Sequence, residues 1–373
     1  MTSLLKHLNN RIYWLFIADI LSVCVASFGW LLIRFDIFDI PADQFRTTMA
    51  IRTLPTLTLF SILLYNYIVH TGQFDFLLWS VYISGLVLAV YTIFSQPGGI
   101  MGYYTLLTEG VRAGANVNNV NTIGLGVSMS AIIAMYYVFY QKKKINILAL
   151  PLCVIVTFGT GSIKAFLLLA MGILLITIMN MNPRRRMRSI FKAILWIVIA
   201  LILFILLLQL PVFETINHRF NGLLALVFEG RWLDSSVKIR FLLSEAGLTQ
   251  FLKNPLFGIG INNGWNIALA TVGNNYYLHN NYVELLVDVG IVGTCLFYAI
   301  PVSILRNLWK KTRLLNQKAT VVGVIFVCWM VMQIGYVCYF DKITFVYFAL
   351  GAAAVATISS DGREDNNKKV RLK

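Results

Sequence analysis

From Ala193 to Leu210 the chain carries no charged side chain. A run of about 18 or more apolar residues is long enough to cross a bilayer as a helix. Backbone amides in lipid must be satisfied within the segment, so helices are the elements such runs can form. Several blocks of this kind recur, and composition agrees with them. Charged residues make up 13% of the chain and hydrophobic ones 58%, against roughly 25% charged in a soluble domain. A water-soluble surface cannot be built from this stock.

The blocks predict an all-α, polytopic transmembrane helical bundle of about ten spanning helices. They fall near 12–33, 53–70, 76–95, 119–140, 145–163, 165–181, 190–211, 281–304, 319–339 and 343–358. The first block lacks a clear signal-peptide cleavage site and is expected to stay as a span. Gly159-Thr160-Gly161-Ser162 separates the fifth and sixth blocks, which predicts a tight helical hairpin. The expected organisation is N-terminal transmembrane helices over 1–211, a large extracytoplasmic loop over 212–280, C-terminal transmembrane helices over 281–358 and a basic cytoplasmic tail over 359–373.

The net charge of +15 suggests nucleic acid in a soluble protein. Here it reports topology, because Lys and Arg collect in cytoplasmic loops. Four basic clusters stand out: Lys142 to Lys144, Arg184 to Arg188, Lys310 to Arg313, and Lys368 to Lys373. An even number of predicted helices separates each pair, so all four fit on the cytoplasmic side with both termini. The expected location is the bacterial cytoplasmic (inner) membrane, multi-pass. Cys24, Cys153, Cys295, Cys328 and Cys338 all fall in apolar blocks, with no metal-ligand spacing and no disulfide framework.

The loops at about 34–52, 96–118 and 212–278 then face out. The last is far longer than an ordinary connection, and such loops are usually functional or disordered. Ser235 and Ser236 predict a helix start, and Asn254-Pro255 a stop. That helix mixes Phe241, Leu242, Phe251 and Leu252 with Lys238 and Arg240, a composition suited to the headgroup layer.

Basic residues left outside run against the cytoplasmic bias. They are Arg34, Arg46, Arg52, Arg112, Lys164, Arg219, Arg231, Lys238, Arg240, Lys253 and Lys342. Each either anchors to anionic headgroups by snorkelling or serves an anionic substrate. A diphosphate is the natural candidate, since planar guanidinium groups bind phosphate oxygens in pairs. His279, where the large loop meets the eighth helix, is either a general base or an interfacial histidine bonded to backbone. Glu284 and Asp288 lie one turn apart just inside the predicted membrane. Acidic groups there are costly and suggest function, or they favour a helix start.

Asn254-Pro255-Leu256-Phe257-Gly258-Ile259-Gly260, then His279-Asn280, then Gly290-Ile291-Val292-Gly293 resemble the O-antigen polymerase and ligase superfamily. The resemblance is specific over about 235–293. Gly161-Ser162-Ile163-Lys164 looks like the family's Ser-Arg turn, with lysine in the arginine position. Asn119-Val120-Asn121 looks like its Asn-Pro-Asn, with valine in place of proline. The resemblance implies metal-independent, inverting glycosyl transfer from a polyprenyl diphosphate-linked oligosaccharide, with no cofactor. It implies His279 as base, with Arg240 and Lys164 on the diphosphate. Arg231, Lys238, Arg112, Asn119, Asn121, Asn280 and Glu284 are the expected substrate-binding residues.

The expected function is polymerisation of lipid-linked repeat units into an O-antigen, capsule or exopolysaccharide. The alternatives are ligase-type transfer to a different acceptor and, from another class, a polysaccharide flippase. A transporter should show internal repeats and polar residues deep in several helices, and the sequence has neither. Membrane lipid, a flippase and a chain-length regulator are the further expected partners, and no nucleic acid.

Overall fold

The computed structural model describes residues 42–117, 119–179, 209–210, 214–232, 235–312 and 317–371. The expected span at 12–33, nearly all of that at 190–211 and the Arg184 to Arg188 cluster lie outside them. No strand occurs among the described residues, and twelve α-helices do. These are α1 (Ala42–Thr71), α2 (Phe74–Phe94), α3 (Gly99–Thr108), α4 (Val120–Phe139), α5 (Ala149–Gly159) and α6 (Ile163–Met179). Then follow α7 (Glu214–Glu229), α8 (Ser235–Lys253), α9 (Gly264–Val272), α10 (Asn281–Thr312), α11 (Gln317–Met332) and α12 (Lys342–Arg371).

Among the described residues three helices are long and apolar enough to cross a membrane: Phe74–Phe94, Val120–Phe139 and Asn281–Lys310. Four other apolar stretches are shorter, namely Lys144–Gly159, Ile163–Met179, Gln317–Met332 and Lys342–Thr357. The expectation is thus met in helix type, and about ten full spans are not confirmed, since two of the ten blocks lie wholly or nearly wholly outside the described residues. Other blocks differ for local reasons. The expected hairpin forms, and its turn at Gly161, with φ 58°, ends the first arm at Gly159 while the second starts at Ile163. The ninth block ends early, at Met332, and 333–341 is a loop. The expected loops also gain structure: α1 begins at Ala42, and α3 sits inside 96–118.

The core forms around α4, which packs on α2, α5 and α6. Small residues let these helices approach closely, as in membrane bundles generally. A Cβ at Gly124 would press on Ala165 and Thr160, and one at Gly172 on Ile132. The Ser128 hydroxyl is buried and bonds to Gly124 O at 2.7 Å and Ala165 O at 3.0 Å, tying α4 to α6. On the other side α11 buries Phe326, Cys328 and Trp329 and packs on α6, α10 and α12, while α12 also lies along α1.

The two glycine motifs meet in α10. Gly290 has φ 65° and ψ −171° and breaks the helix. The carbonyls and amides freed at the break are recovered by the 254–260 loop. Ile259 N–H donates to Val287 O at 2.8 Å and Gly260 N–H to Asp288 O at 2.9 Å; Ile291 N–H donates to Pro255 O at 2.8 Å and Val292 N–H to Leu256 O at 3.3 Å. Irregular backbone near lipid is tolerated where other chain satisfies it. A Cβ at Gly290 would collide with the backbone of Leu256 and Phe257, and one at Gly258 with that of Val287 and Asp288. Gly290→Ala is therefore expected to destabilise the protein by at least roughly 1–3 kcal/mol, the usual cost of a strained backbone position. Thermal unfolding in detergent checks this. Gly323→Ala, which meets nothing within 4 Å, should leave the midpoint unchanged or raise it.

Candidate active site

His279 sits between two anchored neighbours. Leu278 is fully buried and gives its N–H to Glu284 Oε2 at 2.6 Å. Asn280 caps α10, its side-chain oxygen accepting from Tyr282 N–H at 3.0 Å and Val283 N–H at 3.3 Å. His279 itself has φ 59°, a left-handed conformation uncommon outside glycine. Its half-buried ring packs on Tyr277 with centroids 4.4 Å apart and lies 5.9 Å from Tyr276. Burial, then the charge of Arg240, then that of Lys164 push its pKa down to about 3. The imidazole is therefore neutral near pH 7, in the form that accepts a proton.

Arg240 comes from α8, which begins at Ser235 and ends at Lys253, as the Ser-Ser and Asn-Pro signals predict. Leu243 and Gly247 are its buried residues. A Cβ at Gly247 would press on Leu278, Val283 and Val287, so the glycine seats α8 against α10. Arg240 lies one and two turns back on that same face. Its charge also acts on the Tyr277 hydroxyl, whose pKa burial raises and Arg240 lowers.

Lys164 stands in the first turn of α6, and its Nζ donates to Gly335 O. Gly335 belongs to the 333–341 loop, which Asn281 holds from α10. The Asn281 oxygen accepts from Cys338 N–H at 2.9 Å and Tyr339 N–H at 3.0 Å, and its amide donates to Gln333 Oε1 at 2.7 Å. Lys164 thus ties the loop as well as charging the site. Tyr336 donates to Asp341 Oδ2 at 2.5 Å and meets Thr122 Oγ1 at 3.3 Å, which joins the loop to α4. Burial raises the Asp341 pKa while the Tyr336 bond lowers it. The Asp341 charge in turn acts on Tyr277.

The charges of Arg240 on α8 and Lys164 on α6 thus both act on His279, which precedes α10. The other expected substrate-binding residues divide. Arg112 donates to Thr160 O at 2.7 Å and to Asn121 Oδ1 at 3.0 Å, so Arg112 and Asn121 brace the turn that carries Lys164. Asn119 caps α4, accepting from Asn121 N–H at 3.0 Å. Glu284, almost fully buried, positions the residue before His279. Arg231 is exposed and ion-paired with Glu229, and Lys238 is exposed on α8.

Four residues in this architecture were absent from the expected site: Asn281, Asp288, Asp341 and Tyr277. Asp288 is buried and accepts from Asn262, Asn263 and Gly264 N–H and from the Tyr339 hydroxyl at 2.8–3.1 Å. It pins the start of α9 to α10. Its position one turn after Glu284 was the available signal.

A search of curated proteins finds no match to this chain. The family model described as O-Antigen ligase matches residues 148–298, a stretch that runs from α5 through Lys164, Arg240, His279 and the Gly290 break. The match supports placing this apolar-helix protein in the O-antigen polymerase and ligase superfamily.

Proposed function

We propose that the protein polymerises polyprenyl diphosphate-linked oligosaccharide repeat units on the outer face of the bacterial cytoplasmic membrane, with both termini in the cytoplasm. The observation that carries this reading is that the charges of Arg240 and Lys164 both act on His279, beside an apolar helical bundle. A base beside two cations suits a neutral nucleophile and a diphosphate leaving group.

In the proposed reaction an acceptor sugar hydroxyl attacks the anomeric carbon of the donor. The bond from that carbon to the diphosphate oxygen breaks, and the polyprenyl diphosphate leaves with the electron pair. His279 takes the hydroxyl proton. Arg240 and Lys164 neutralise charge where it builds in the transition state, which is where fixed cations accelerate a reaction. In the free protein these same cations depress the basicity of His279. A bound diphosphate offsets their field, so the imidazole gains basicity when the donor is in place.

Transfer to a different acceptor is the second reading, favoured by the ligase description of the matching family. Purified protein in proteoliposomes, given lipid-linked repeat units alone, is expected to produce a ladder of longer lipid-linked glycans. Donor that stays at one repeat until a foreign acceptor is added would assign the ligase reaction instead.

A further inference from the structure

The break at Gly290 divides α10 into an upper piece, Asn281 to Val289, and a lower one, Ile291 to Thr312. At 1.5 Å per residue the lower piece is about 33 Å long, close to the roughly 30 Å of bilayer hydrocarbon. Its far end carries exposed Trp309 next to Lys310 and Lys311, the residue types that mark a membrane–water boundary. With that end at one boundary, Gly290 falls at the other. The 254–260 loop docks at this level, bonded to Val287, Asp288, Ile291 and Val292.

The tip of the loop is Leu256 and Phe257, 58% and 73% exposed. Leu256 O accepts from Val292 N–H and the preceding Pro255 O from Ile291 N–H; Ile291 and Val292, with Leu296, are exposed apolar residues on the membrane-spanning piece. The tip therefore continues the lipid-facing surface of a membrane span. We infer that Leu256 and Phe257 are immersed in the hydrocarbon of the leaflet on the His279 side. They form a foot that fixes the height of the His279 loop above the membrane. The upper piece of α10, about 13 Å long, links that level to the His279 loop, and the seating itself does not depend on the proposed reaction.

The test uses the full chain with its native cysteines replaced by alanine, in vesicles of phosphatidylethanolamine and phosphatidylglycerol. A nitroxide is placed at Phe257→Cys and, for comparison, at Leu296→Cys and Gly273→Cys. The label at 257 should collide with oxygen as readily as that at 296, and with a water-soluble nickel chelate several-fold less than that at 273. Nickel access equal to that at 273 places the tip in water and overturns the inference. Low access to both reagents means the tip is covered by protein and overturns it too. Leu256→Cys repeats the reading should the 257 label disturb the loop. A glycosyl-transfer assay then separates the foot from the chemistry: Phe257→Asp should lower turnover at least tenfold with Phe257→Leu near the parent.

Discussion

His279→Gln is expected to lower glycan elongation by at least about 10²-fold, the lower bound for loss of a general base. Glutamine retains a hydrogen-bonding side chain and cannot accept a proton near neutral pH. Donor binding should change little, because Arg240 and Lys164 remain. The pH dependence gives the sharper reading. A histidine at its usual pKa of about 6.5 loses its accepting form as pH falls below that value. In the free protein burial and the two cations push the His279 pKa down to about 3, so kcat/KM should hold through mildly acidic pH and fall only as pH approaches that range. In the donor complex the diphosphate offsets the two cations, so the acid limb of kcat should lie higher than that of kcat/KM. These two profiles report the free enzyme and the complex respectively. Full turnover by His279→Gln would remove His279 as the base, whereas coincident acid limbs near pH 6.5 would overturn its depressed basicity.

Legibility in the sequence followed the range of the forces involved. Apolar blocks reveal helices because burial in lipid acts along one segment, and α8 was legible to within a residue from Ser235-Ser236 and Asn254-Pro255. The end of α11 at Met332 was not. The loop beyond it is held by Asn281, some fifty residues away in sequence, and no local pattern encodes that bond. The same holds for α9, a nine-residue helix whose start is fixed by the carboxylate of Asp288. Alone, so short a helix is unstable in water, so its sequence carries little signal. At the site, His279 stood out through its motif. Asp341 lies in no motif and joins the site only because the 333–341 loop folds back onto α10, while Tyr277, also in no motif, joins it by packing on the His279 ring two residues along. Asn119 and Asn280 were read as substrate-binding residues, but their side chains cap helices, a role that short polar side chains at such positions commonly fill.

Arg240→Ala should lower turnover by about 10²–10³-fold, the usual loss when one group that stabilises transition-state charge is removed. Expression and unfolding temperature should stay near the parent, since Leu243 and Gly247 hold α8 in place. A second effect identifies the cause. After burial, the Arg240 charge is the largest influence depressing His279. Its removal should move the acid limb of kcat/KM upward, toward the ordinary histidine range, and activity should then be lost at a higher pH as pH falls. Arg240→Lys keeps the charge and loses the planar fork that binds two phosphate oxygens at once. That variant should recover only part of the rate while the acid limb stays low. The paired result separates charge from geometry. If Arg240→Ala turns over at the parent rate, the diphosphate assignment fails. If the rate falls but the limb does not move, Arg240 acts on the substrate without setting the basicity of His279.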